Sequence, residues 1–134
     1  MAARAYVDVN VFVYWLLGDP EFGPRALEWI RRVEEEPRMY MTSTYALWET
    51  AVVVARLSGG SLRDPGFVEG VLEAVSSTGI RVVGLEPRDF WDALSYLGGL
   101  DFEDALHLAV ALRNGCGRIV SNDRDFDGYL ERVF

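Results

Sequence analysis

The stretch Ala5-Tyr6-Val7-Asp8-Val9-Asn10-Val11-Phe12-Val13-Tyr14 decides the fold, because a carboxylate stands in the middle of residues that otherwise favour burial. An unpaired carboxylate in an apolar setting is costly, so Asp8 must pair, protonate or hold a cation. The run is β-branched and aromatic enough to begin as a strand, and Phe12 to Leu17 has the content of a helix start. Asp8 is thereby predicted at the carboxyl end of a strand, where open α/β sheets place their ligands.

Outward from this stretch, strand-like and helix-like segments alternate. Gly18-Asp19-Pro20 breaks the first helix, and Gly23-Pro24 opens a second carrying Ala26, Leu27, Trp29, Ile30 and Val33 at helical spacing. Met39-Tyr40-Met41 predicts a short strand, and Thr42-Ser43-Thr44 supplies hydroxyls to cap a helix from Tyr45 to about Leu57. That helix is apolar almost all round, with Glu49 as its one interior acid. Asp64-Pro65 opens a further helix, Ile80 to Leu85 is a strand, and Pro87 begins a helix with Phe90, Trp91, Leu94 and Leu97 on one apolar face. Leu100 to Leu112 starts acidic and becomes an apolar helix, with Asp101 placed as its N-cap and Asp104 in its first turn. Arg118 to Ser121 is a strand, and Arg132-Val133-Phe134 is long enough only for a short last one. The alternation predicts an α/β fold with a mainly parallel sheet of four to five strands and helices on both faces.

Composition narrows the function. A chain of 134 residues, half of them apolar, is expected to form one globular domain spanning residues 1–134. No run reaches the roughly 20 apolar residues of a membrane span, and no apolar leader precedes the first strand, so a cytoplasmic location is expected. The single cysteine, Cys116, has no internal disulfide partner and reads as a small packed or exposed thiol. The formal charge of −8 argues against a general nucleic-acid-binding surface, but not against a nuclease whose acids are neutralised by metal. All 13 basic residues are arginine, which removes the mechanisms that need a lysine at a phosphoryl group, and no GxxxxGK[ST] phosphate loop is present.

Asp8, Asp104 and Asp123 each stand where a strand or loop meets an apolar element, and Glu49 interrupts a buried helix. A parallel sheet brings such positions together. Converging carboxylates repel one another unless a cation holds them, and an all-oxygen donor set points to Mg2+ or Mn2+ rather than to structural zinc. Such ions support phosphodiester hydrolysis without histidine.

In four places, in this order, the sequence resembles the PIN domains, and within them the VapC-type ribonuclease toxins of toxin–antitoxin pairs. They are Val7-Asp8-Val9-Asn10, the mid-helix Glu49, Phe102-Glu103-Asp104-Ala105-Leu106-His107-Leu108-Ala109, and Ser121-Asn122-Asp123-Arg124-Asp125-Phe126. The resemblance implies a three-layer fold and a Mg2+ or Mn2+ site lined by Asp8, Glu49, Asp104 and Asp123. It places Asn10 where a side chain orients the first aspartate or the site water, and Asp125 where many members carry a further acid. Asp101 is either the helix cap or an outer acid of the site. It further implies an RNA substrate, a homodimer and a small antitoxin that blocks the site. Arg124 is the candidate phosphate contact.

Each acid also has an ordinary structural explanation: a loop-facing carboxylate at Asp8, an exposed helix stripe at Glu49, a dipole-favoured acid at Asp104 and turn chemistry at Asp123. His107 reads first as a packed or hydrogen-bonded helix residue, and the four tryptophans as core or dimer contacts. The rival function is a catalytically inactive PIN-like binding module that acts through a protein partner. A module without chemistry has no reason to keep repelling carboxylates together.

Overall fold

The computed structural model describes residues 4–134. Its strands are β1 (Ala5–Val7), β2 (Tyr40–Ser43), β3 (Arg81–Val83), β4 (Arg118–Val120) and β5 (Glu131–Val133). The helices are α1 (Val9–Leu17), α2 (Gly23–Glu35), α3 (Thr44–Ser58), α4 (Pro65–Ser77), α5 (Pro87–Ala93) and α6 (Phe102–Arg113). The strands form one sheet in the order β3-β2-β1-β4-β5. Every pairing is parallel, with Tyr6 opposite both Met41 and Ile119.

Alternation along the strands sorts the core into two layers. Tyr6, Met41, Val83 and Ile119 face α5 and α6, where Ala93, Leu106, Leu108 and Ala109 cover them. Ala5, Val7, Tyr40 and Val120 face the other way, against Val11, Phe12, Ala26, Ile30 and Val33 of α1 and α2. A smaller cluster of Val13, Ala51, Val54 and Val71 joins α1, α3 and α4. The central strand β1 is buried on both faces, which is why its residues read as a continuous apolar run. The chain runs from β1 outward through β2 and β3, then crosses back to place β4 and β5 on the other side of β1. The carboxyl ends of β1 and β4 therefore flank the switch point, where parallel sheets open a crevice.

Local differences from the sequence expectation have identifiable causes. Helix α1 begins at Val9 rather than near Phe12, because Asp8 caps it: its Oδ1 accepts from Val9 N at 2.8 Å. Gly18 ends the helix at φ +61°, a conformation that favours glycine. Strand β2 starts at Tyr40, since Pro37–Met39 forms a 3₁₀ turn. Helix α3 is not covered all round, for Trp48 is 61% exposed. The apolar face that opens with Phe90 and Trp91 on α5 is largely solvent-facing, with Trp91 72% exposed. What α5 buries is Asp89, held by Arg113 of α6 through Nε at 2.7 Å and Nη2 at 2.9 Å. The last strand is Glu131–Val133, paired with β4.

Candidate functional site

Asp8 directly follows β1 and is buried at the start of α1, its Oδ1 accepting from the backbone and its Oδ2 accepting from Ser121 Oγ at 2.7 Å. Ser121, fully buried after β4, is a hub. Its hydroxyl also accepts from Asn10 Nδ2 at 3.3 Å and from the backbone N–H of Asp123 at 3.0 Å. Asn10 in turn accepts from Asn122 N at 3.3 Å, so α1 and the loop after β4 are tied together around Asp8. Asn10 is thus linked to Asp8 through the Ser121 hydroxyl.

Asp104 reaches the crevice from the first turn of α6, whose N-cap is Asp101: Asp101 Oδ1 accepts from Asp104 N at 2.9 Å. Asp123 caps the 3₁₀ turn Arg124–Phe126 by accepting from Asp125 N at 2.9 Å, which folds Asp125 back towards it. One carboxylate oxygen from each of Asp104, Asp123 and Asp125 lies within 4.8 Å of the other two. Asp8, Asn10, Tyr14, Glu103, Asp104, His107 and Asp123 line one cleft of about 330 Å³, with Val9, Val13, Val53 and Leu57 as its apolar wall.

Glu49 sits on the neighbouring wall, committed to other partners. Its Oε1 meets His107 Nε2 at 2.5 Å, while His107 Nδ1 lies 2.6 Å from the Tyr6 hydroxyl and the ring stacks on Tyr45. The Tyr6 hydroxyl continues to Ser43 Oγ at 2.7 Å, so a buried polar chain runs from the sheet to the cleft wall. Glu49 also hydrogen-bonds Glu103, an acid that sequence reasoning passed over. Glu49, the sixth residue of α3, and Glu103, the second of α6, lie 54 positions apart and gave no sign of contact, although Glu103 adjoins Asp104 in the quoted stretch.

The electrostatics match this crowding. Burial, and then the charges of Asp101, Asp123 and Asp8, push the Asp104 carboxyl up to about 7. The hydrogen bond that Glu103 donates to Glu49, followed by burial and the Glu49 charge, pushes Glu103 up to about 7. Burial alone would raise Glu49, but hydrogen bonds from His107 and Glu103 outweigh it and hold Glu49 below the usual carboxylate range. Burial opposes charge on His107, yet the Glu49 hydrogen bond and the nearby acids raise its pKa, favouring an imidazolium that donates from both ring nitrogens.

Three carboxylates whose oxygens fall within one coordination sphere, with a fourth opening onto the same cleft, suit a hard divalent cation. Neither a thiolate nor a free imidazole faces them: Cys116 is buried elsewhere and both His107 nitrogens are engaged. Arg124 is exposed on the turn between Asp123 and Asp125.

Fold and site together define a parallel α/β protein with a carboxylate cleft at the switch point of its sheet. Comparison with protein families gives a match to the PIN domain over residues 5–129. The chain belongs to the PIN-domain family. Among solved structures it is similar to Mycobacterium tuberculosis VapC20, described as a sarcin-ricin loop cleaving toxin, with a TM-score of 0.73 and 22% identity over 96% of this chain and 98% of that one. It is similar to a chain of VapBC2 from Rickettsia felis bound to a promoter DNA fragment, with a TM-score of 0.66 and 13% identity over 97% of each chain. FitAcB from Neisseria gonorrhoeae gives a TM-score of 0.66 and 16% identity over 98% of this chain and 97% of that one. No curated protein sequence matches the chain.

Proposed function

We propose that this PIN domain is a metal-dependent endoribonuclease acting as the toxin of a toxin–antitoxin pair, with cytoplasmic RNA as its substrate. The observation that carries the proposal is the convergence of the Asp104, Asp123 and Asp125 carboxylates, two of which line one cleft with Asp8. The similar toxin and toxin–antitoxin structures support the biological setting.

In this reading Asp8, Asp104 and Asp123 hold Mg2+ or Mn2+, with Asp125 as a further oxygen donor. The bound cation supplies positive charge to the phosphodiester transition state and makes water a better nucleophile. Ser121 and Asn10 fix the rotamer of Asp8. Glu49, whose orientation is set by His107, positions water at the edge of the site, and the Glu49–Glu103 pair keeps one proton at the cleft wall near neutral pH. Arg124 contacts a substrate phosphate. Asp101 serves as helix cap. A second copy of the chain and a small antitoxin are its protein partners, and the exposed apolar groups of α5 offer surface for association.

The test is cleavage of a labelled RNA panel in Mg2+, in Mn2+ and in EDTA, with Asp8→Asn alongside to exclude a contaminating nuclease. Metal-dependent cutting that disappears in Asp8→Asn is expected. Equal cutting by parent and variant would remove the site assignment, and no cutting by a folded parent would favour the binding-module alternative.

A further inference from the structure

The wall that α3 contributes to the cleft continues into a second cavity of about 240 Å³, lined by Tyr45, Trp48, Glu49, Val52, Arg56 and Glu103 among others. It shares Val53 and Glu103 with the acidic cleft, so the two are neighbours. Positions 45, 49, 52 and 56 fall on one stripe of the helix, with Trp48 at its margin. Trp48 is 61% exposed, and leaving so large a ring in water forgoes the burial that a tryptophan ordinarily contributes. Arg56 is exposed and makes no ion pair among the described residues, in a chain where Arg88, Arg113 and Arg132 are each paired with an acid.

We infer that this cavity is a subsite for one unpaired base of the RNA strand, beside the phosphodiester that is cut, with Trp48 stacking on the base and Arg56 meeting an adjacent phosphate. The inference rests on the ribonuclease reading. Splayed bases of single-stranded RNA are held by aromatic faces, and a guanidinium matches phosphate geometry. Glu49 and Glu103 would repel a phosphate in the cavity, but a carboxylate accepts hydrogen bonds from the exocyclic amine of a base. The floor therefore suits a base edge, and the backbone runs along the Arg56 side. Trp48 also borders the groove between α3 and α4, lined further by Leu47, Ala51, Leu62, Val68 and Leu72, which carries no charged side chain and suits an apolar protein segment. The charged groups Glu49, Arg56 and Glu103 lie on the other side, in the cavity assigned to the base.

The experiment measures binding of the full chain to a fluorescent single-stranded RNA of about twelve nucleotides in EDTA, for the parent, Trp48→Ala, Trp48→Phe and Arg56→Gln. KM and kcat for the same RNA are then measured in Mg2+. Trp48→Ala is expected to weaken binding about 5- to 20-fold and to raise KM with kcat unchanged, and Trp48→Phe to restore most of the loss. Arg56→Gln should flatten the salt dependence of binding by about one phosphate contact. Equal binding by parent and Trp48→Ala overturns the subsite. So do equal losses in the Ala and Phe variants, a parent that binds no RNA, or a Trp48→Ala defect confined to a protein partner. Trp48-dependent binding without cleavage in any metal leaves the subsite standing and removes the ribonuclease reading. Cleavage with an unchanged KM in Trp48→Ala does the reverse.

Discussion

Asp104 concentrates the conflict that the cleft is built on. Its carboxyl, near 3.8 in an unfolded chain, is pushed up to about 7 by burial and by the acids around it. Between these two values the folded protein keeps a proton that the unfolded chain has released, so stability falls as pH rises through this window and is lowest above it. Asp104→Asn removes that dependence. In EDTA, the gain in Tm of the variant over the parent should be small at pH 5 and larger at pH 8, and an equal gain at both would contradict the electrostatic account. A cation must displace the same proton, so Mn2+ should bind the parent more tightly at pH 8 than at pH 6.

Residues also mark how far the sequence could be read. Asp8, Asp104 and Asp123 stood out together, because each sits where an apolar run meets a turn; taken singly, capping or turn chemistry explains a carboxylate at each place. Ser121 was not, for a serine after a strand looks like any loop residue until its hydroxyl is seen between Asp8, Asn10 and Asp123. The tie from His107 to Tyr6 spans 101 positions and has no local signature.

Among the elements, α5 shows the limit of periodicity. Phe90, Trp91, Leu94 and Leu97 recur as a core face would, yet helical spacing does not distinguish a core from a surface that another molecule covers. The anchor of α5 is instead polar. Asp89, inside an unremarkable Arg88-Asp89 pair, is fully buried and holds Arg113, which also donates from Nη2 to Gly84 O at 2.8 Å. Burial opposes the Asp89 charge, but the hydrogen bonds from Arg113 and the Glu86 backbone, with the Arg113 charge, hold its carboxyl below the usual range. Removing one partner of such a pair strands the other, so Asp89→Ala should cost about 3–5 kcal/mol in denaturant unfolding, releasing α5 from α6. A cost below about 1 kcal/mol would mean that the pair is solvated and that α5 is held by Ala93 alone.

At the scale of the molecule, the strand order was beyond the sequence. Alternating elements imply a parallel sheet, but only the observed order β3-β2-β1-β4-β5 puts β1 and β4 side by side and brings Asp8 within reach of Asp123. The exposed apolar face of α5, in a chain of net charge −8, is a surface that association would cover. The parent is expected to run as a dimer in analytical ultracentrifugation and Trp91→Glu as a monomer, whereas a monomeric parent would remove the second copy from the account. Among the described residues no helix is long and apolar enough to cross a membrane.

The central claim is that the carboxylates form one cation site, and a Mn2+ titration followed by electron paramagnetic resonance tests it most directly. The parent at pH 7.5 should take up Mn2+ with a defined stoichiometry, and Asp104→Asn and Asp123→Asn should each weaken that uptake at least about tenfold, as loss of a charged ligand does. Uptake unchanged in both variants would place the metal elsewhere and contradict the account.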